Sequence, residues 1–455
     1  MRLWKLCDLQ FHYGLSDREV LGRAGTDVAF RLFLGLGLAN ALPDPSTRCL
    51  FRGRLGVDRF EAVFQALIAQ ARERGLVRDR LRRKDASHVL TGVAIPNTLS
   101  LVAQTRNKLL AALRPFEPTR VAGEEARLVA LRLADEGLAP APRLAARVAH
   151  LVDILAWADD VTLPPEWSAE DRRWHALHAA RQLAHKILAD HDAPQAGDRT
   201  RSAVDPDVRR SKHGSFYDGY LLDVLMDADS ELVTQINVLP ANGDEARDAA
   251  ELVRREEAAQ HNDVAALSMD KAGFQGEVLR ELADPAGLAL DAYVPPKTEP
   301  ATHKFVPQDF LEDADRSHVT CPAGQTSPSH QRDEEHHTTV YRFAQALCAA
   351  CPLRQQCVSG KLSGPFGRTV RKSDYEAEHR RARAKAQTPA YAAVRREHPK
   401  VERKLSELLR RHDGRHARYW SLPKVYCQEL LTTFAANVKR MVRLLCAPPP
   451  APVTP

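Results

Sequence analysis

The chain has 455 residues, of which 44% are apolar and 27% charged, with a formal net charge of +6. That length supports two to four domains, or one large domain with insertions, and the composition excludes a fibrous or low-complexity chain. No stretch approaches the roughly 18 consecutive apolar residues of a membrane span. The start, "MRLWKLCDLQ", has no continuous apolar segment before a small-residue cleavage site, so a cytoplasmic protein with no membrane partner is expected. Its eight cysteines then read as core residues or metal ligands rather than disulfides. The charge is uneven. Residues 361–420 hold 17 Lys/Arg against 7 Asp/Glu, a local surplus larger than that of the whole chain. A focused basic segment favours a polyanion, nucleic acid first, over a merely solvated face.

Residues 1–80 read as a helical N-terminal domain. Ser16 with Glu19 is a capping-box pattern. "VAFRLFLGLGLANAL" is ambiguous between helix and strand. "PDPSTRCLFRGRL" reads as a turn, a Ser/Thr cap and a helix carrying Arg48, Arg52 and Arg54. Those arginines suit either a solvated face or contact with phosphates. Residues 81–94 hold Asp85 and a first core strand. Residues 95–200 form a helical insertion, in which Trp157, Trp167 and Trp174 suit core packing better than base stacking. Residues 201–296 alternate between strands and helices. Asp227 sits in the turn of a hairpin, and "VAALSMD" is a strand ending at Asp270. Residues 297–390 are an irregular, polar, Cys-containing insertion. Residues 391–445 return to helices, with Pro399 in the first turn of "PKVERKLSELLRR". Residues 446–455 are a Pro-rich tail expected to be disordered.

Phosphodiester cleavage by two divalent ions requires carboxylates from separate elements. Asp85, Asp270 and Glu402 are candidates of that sort, although singly each also suits a turn or a helix start. Asp223 is the substitute for Asp85, and His88 lies three residues after Asp85. Cys321, Cys348, Cys351 and Cys357 give C-x26-C-x2-C-x5-C, a spacing that reads first as a structural zinc site, with an iron–sulfur cluster as a second choice. His336 and His337 are alternative ligands. Cys7, Cys49, Cys427 and Cys446 stand in helical apolar settings and read as packed core.

The segments "YGLSDREV", "FLGL", "PDPSTRCLFRGRLG", "LRRKDASHVL", "VAIPNTLSLVAQTR", "MDKAGFQG", "CPAGQT", "CAACPLRQQC", "PKVERKLSELLRR" and "AANVKR" resemble bacterial insertion-sequence transposases of the DDE type. They resemble the group with a helical N-terminal domain and a Cys-rich insertion before the catalytic Glu. The resemblance implies an α/β fold: an RNase H-like mixed-sheet core within 201–296, preceded by the strand at 81–94 and completed by the Glu-bearing helix of 391–445. It implies that Asp85, Asp270 and Glu402 are catalytic and hold two Mg²⁺ or Mn²⁺ ions. Water then frees a 3′-OH at the element's end, and that hydroxyl attacks target DNA. It also implies double-stranded DNA partners and a homodimer that pairs two ends. Many relatives carry Tyr seven and Arg four residues before the Glu, and Lys seven after it. Here those positions hold Arg395, His398 and Leu409, with Tyr391, Arg396, Lys400 and Arg410 nearby. The chain also begins close to the first helix of the family domain, as a trimmed copy would.

Val401, Leu405 and Leu408 make the buried stripe of the last catalytic helix, leaving Glu402 beside it at the helix start. The expected DNA-binding set is Arg48, Arg52, Arg54, Arg395, Arg396, Lys400, Arg403, Lys404, Arg410 and Arg411. Two further readings compete with the transposase. One is a catalytically inactive derivative that still binds DNA, and the other is a zinc-containing nuclease.

Overall fold

Polar caps set the helix boundaries of the N-terminal third. The computed structural model describes residues 2–134, 137–193, 197–297, 304–358 and 365–446; the expected tail lies outside them from residue 447 onward. The first helices are α1 (Arg2–His12), α2 (Asp17–Thr26), α3 (Val28–Leu34) and α4 (Pro45–Glu73). Ser16 and Glu19 cap α2 reciprocally: the Glu19 N–H donates to Ser16 Oγ (3.2 Å) and the Ser16 N–H to Glu19 Oε2 (2.7 Å). Asp27 caps α3 and Gly35 ends it in a left-handed conformation, so the ambiguous apolar run is helical as far as Leu34. Asp44, rather than Ser46 or Thr47, caps α4 by accepting from the Ser46 N–H, with Pro45 in the first turn. α4 runs through a kink at Gly56, where φ is +71°, a value that costs glycine little.

Next come β1 (Arg82–Leu90), the helical insertion α5 (Thr98–Leu113), α6 (Pro118–Ala134), α7 (Pro140–Asp160) and α8 (Arg172–Asp192), and strands β2 (Arg209–His213), β3 (Ser215–Asp227) and β4 (Val233–Pro240). They are followed by α9 (Glu245–Gln260), β5 (Ala266–Ser268), α10 (Gly276–Leu282) and β6 (Asp291–Tyr293). The Cys-rich insertion contains β7 (Leu311–Glu312), β8 (Val319–Thr320), β9 (Ser329–Asp333), β10 (Thr338–Ala344), α11 (Gln345–Ala349), α12 (Arg354–Cys357) and β11 (Phe366–Ser373). The chain continues through α13 (Glu376–Lys385), α14 (Pro389–Glu397), α15 (Pro399–Arg411) and α16 (Leu422–Cys446). These elements divide into two compact units. One comprises Met1–Val77, Asp85–Glu245 and Glu402–Pro455; the other comprises Arg78–Lys84 and Ala246–Val401.

In the first unit β3 is antiparallel to β2 and β4 and also neighbours β1. Residues 222–227 of β3 are all buried, the near-continuous pattern of a strand covered on both faces. Gly219 permits the close approach of β1, because a Cβ there would lie 2.1 Å from the Val89 carbonyl oxygen. Asn437 of α16 clamps the start of β4, accepting from the Val233 N–H at 3.0 Å and donating to its carbonyl at 2.7 Å. The helical insertion has its own apolar core, which includes Trp157 and has Trp174 packed against it.

In the second unit the first residues of β1 run parallel to β5, with Arg82 opposite Leu267 and Arg83 opposite Ser268, and β5 runs parallel to β6. Arg82 forms a fully buried ion pair with Glu256 of α9, at 2.6 Å. Parallel and antiparallel pairs alternating with helices make this the α/β, RNase H-like class that the resemblance implies. The insertion is more regular than its polar sequence suggests. β10 lies between antiparallel β9 and β11, and Phe310, Val319, Tyr341, Phe343 and Val370 form a small core.

Candidate active site and nucleic-acid interface

β5 ends at Ser268, so Asp270 stands two residues beyond the strand rather than at its last residue. Its Oδ1 accepts the Ala272 N–H at 2.9 Å, capping a 3-10 turn over Lys271–Gly273. Gly273 packs closely against Met269, whose Cε would lie 2.9 Å from a Cβ placed there. The peptide before Asp270 is gripped from α14: Arg395 Nη1 donates to the Met269 carbonyl at 2.5 Å and to Ser268 Oγ at 3.3 Å. His398 Nδ1 is 3.0 Å from the same Ser268 hydroxyl. Burial, followed by the charges of Arg395 and Arg83, pushes His398 down to about 3, so the ring is neutral at physiological pH. Ser268 stands in no recognisable motif, and His398 was noted in the sequence only as a departure from the family's pattern before Glu402.

Asp85 lies on β1, half-buried, with its Oδ1 accepting the Ala86 N–H at 2.9 Å. His88 packs its ring against Tyr217. Asp223 is fully buried on β3, opposite Asn237 of β4. Asp218 is held by Arg201 and Arg210, and Asp227 accepts from the Ser230 N–H and hydroxyl, as a turn residue does.

On α15, Val401, Leu405 and Leu408 are buried as expected, joined by Leu409. Glu402 is exposed rather than turned toward that stripe. Arg403, Arg410 and Arg411 are exposed, and with Ser406, Glu407 and Arg443 of α16 they line one concave surface. Arg443 carries no sequence signal; only the fold brings it there. Lys404 must be removed from the expected DNA-contacting set. Its side chain is 3% exposed and pairs with Glu407 at 2.9 Å. Arg395 is likewise committed to β5, and Lys400 forms an ion pair with Glu397. Arg396 is exposed.

The arginines of α4 are corrected in the same way. Arg48 is fully buried, 3.1 Å from Asp17 and 2.5 Å from Gln10 Oε1. Arg52 makes two bonds to Asp17, at 2.8 and 2.6 Å, and lies over the Tyr419 ring. Only Arg54 of the three is exposed. Burial alone would raise the Asp17 carboxyl, but the Arg52 hydrogen bonds and the charges of Arg52 and Arg48 hold it below its ordinary value.

Cys321, Cys348, Cys351 and Cys357 line a single small cavity. His336 is exposed and bonded to Asp333, and His337 pairs with Glu277; neither lines that cavity. Among the other cysteines Cys7 is buried, and burial pushes the half-buried Cys427 up to about 11. Cys49 and Cys446 are exposed, contrary to the expectation of packing: Cys49 Sγ meets the charged Arg52 and Asp17, and Cys446 is the last residue of α16. Among the described residues, no three His, Cys, Asp or Glu side chains are gathered as a ready-made metal-holding group. None of the described helices is long and apolar enough to cross a membrane.

Two family models match the chain. One, described as "Transposase DDE domain", matches residues 320–442, and the other, "Transposase domain (DUF772)", matches residues 1–54. The first contains Glu402 and the four clustered cysteines; the second spans α1 to α3 and the first turns of α4. Asp85 and Asp270 lie outside both. No curated protein matches the chain.

Proposed function

Since the chain belongs to the insertion-sequence DDE transposases, we propose that it cuts DNA at the ends of such an element and joins the freed 3′-OH to target DNA. What carries this reading is the DDE-domain match that contains Glu402. It is supported by an Asp placed two residues past a parallel strand, with the intervening Met269 carbonyl tied down by Arg395. Asp85, Asp270 and Glu402 would hold Mg²⁺ or Mn²⁺, as an oxygen-only donor set suited to hard cations. When bound, such ions activate the attacking hydroxyl and neutralise the leaving oxygen.

The chain's own residues orient and bind. The Ala272 N–H fixes one oxygen of Asp270. His398, being neutral, adds no competing charge behind the strand end. The exposed Arg54, Arg396, Arg403, Arg410 and Arg411, together with Arg443, would contact phosphates and set position rather than sequence preference. Pairing two ends would take a second copy of the chain.

The test is cleavage of a linear duplex carrying the element's ends, with Mg²⁺. Asp270→Ala and Glu402→Ala should each lose activity by on the order of a thousandfold, equivalent to about 4 kcal/mol of barrier. Full cleavage by either variant would show that the assignment is wrong. One observation favours a second reading, end binding without catalysis: Arg395 and His398 occupy the positions where relatives carry Tyr and Arg, and both are turned into the fold. Retained binding to the ends with no Mg²⁺-dependent nicking by the unaltered chain would select it.

A further inference from the structure

The Cys-rich insertion holds four thiols that the proposed DNA chemistry does not use. They come from three places: Cys321 just after β8, Cys348 on α11 with Cys351 beyond its end, and Cys357 at the end of α12. All four line one cavity.

The backbone is arranged around the sulfurs. Gly324, at φ +77°, turns the chain so that the Gln325 N–H donates to Cys321 Sγ at 3.4 Å. From β11 the Arg368 N–H donates to Cys348 Sγ at 3.3 Å. A Cβ at Gly367 would lie 2.5 Å from Cys348 Sγ, so only glycine leaves that sulfur its place. Donors aimed at sulfur favour its thiolate form, which is the form that ligates metal. The Arg368 guanidinium is fixed beside them by the carbonyls of Phe305 (2.9 Å) and Cys357 (3.2 Å). Its positive charge offsets part of the excess negative charge of a four-thiolate centre.

The insertion also needs a staple. Its apolar core consists of five buried side chains, with Cys321, Cys348 and Cys357 packed against it. A core of that size does not offset the chain entropy of so long a segment. As they stand the sulfurs are not gathered at ligand positions. Stepping χ1 between rotamers moves a cysteine sulfur by about 3 Å, and metal binding would select the rotamers that bring the four together.

We propose that Cys321, Cys348, Cys351 and Cys357 hold one structural Zn²⁺ that fastens α11, α12 and the turn after β8 to β11. This site stands independently of the proposed cleavage activity. The experiment is elemental analysis of the full chain purified under reducing conditions, with zinc release followed as a mercurial titrates the thiols. About one zinc per chain is expected, released as the cavity thiols react. Cys348→Ser and Cys351→Ser should lose it, while Cys49→Ser, at an exposed thiol outside the cavity, should keep it. Gly367→Ala should weaken zinc at least about tenfold in competition with a chelator. If a serine variant does not fold, chelation of the unaltered chain should instead open residues 304–373 to protease. The proposal is overturned by a chain with all thiols reduced and no stoichiometric zinc, by zinc that survives both serine changes, or by iron with acid-labile sulfide in its place.

Discussion

Two helices look alike in sequence and differ in what their charges do. Both α4, with Arg48, Arg52 and Arg54, and α15, with Arg403, Lys404, Arg410 and Arg411, read as basic faces for phosphates. On α4 a single carboxylate changes the outcome: Asp17 of α2 draws Arg48 and Arg52 inward, leaving Arg54 outside. On α15 the carboxylate is Glu407, and it takes Lys404 while the three arginines stay in solvent. A count of basic residues therefore does not give a surface potential. What decides is whether the fold brings an acid to the same place, and that acid can be thirty residues away.

The largest effect expected from this difference is on stability. Arg48→Ala breaks a buried pair and should cost about 3 kcal/mol, read from urea unfolding, while the salt dependence of DNA binding stays unchanged. An unchanged unfolding midpoint would mean that Arg48 is not held as described. The pH dependence follows from Asp17. Its carboxyl is held below its unfolded value, so the stabilisation is fully present above about pH 4 and is lost as pH falls through the folded value. Asp17→Asn should remove that acid-side loss. Glu429 on α16 supplies the opposite case, a carboxyl at 0% exposure that accepts a hydrogen bond from the Gln428 amide at 3.0 Å. Burial pushes it up to about 8. Because the folded value is the raised one, the neutral acid is favoured in the fold, and stability declines from about pH 4.5 upward until the folded value is passed. Glu429→Gln should flatten that decline and add roughly 2 kcal/mol at pH 8. A variant less stable than the parent at that pH would count against a neutral Glu429.

Local signals in the sequence proved readable where the chemistry is local. The Ser16–Glu19 capping box, the β3–β4 hairpin turning at Asp227, the turn that Asp270 caps just past its strand and the apolar stripe of α15 all depend on neighbours within a few residues. What was not legible depends on partners far along the chain. Arg82 meets Glu256, Arg395 meets Met269, and Arg443 joins the α15 arginines across a loop and a helix. The strands of the Cys-rich insertion were hidden for a related reason. β9 is polar and exposed on nearly every residue, so it shows no alternation, and it is a strand only because β10 pairs with it. Glu402 lies between the two kinds. Its helix and its place in the first turn were legible, but its exposure was not, because a residue beside an apolar stripe turns whichever way the neighbouring elements allow.

The remaining predictions test the outward half of the comparison. Arg403→Ala, Arg410→Ala and Arg411→Ala combined should lower the slope of log affinity against log salt by about three for a duplex of arbitrary sequence. Each change should move folding stability by less than about 0.5 kcal/mol. A slope that does not move would place the DNA elsewhere.

The smallest effect is also the sharpest, because it separates two residues on one helix. Arg52 and Arg54 stand two positions apart on α4, with the same charge and the same side chain. Arg54→Ala should lower the salt slope by about one and leave unfolding unchanged. Arg52→Ala should do the reverse, weakening the fold through Asp17 while the slope holds. If the two variants behave alike in either measurement, the carboxylate of Asp17 is not what divides the arginines of this helix.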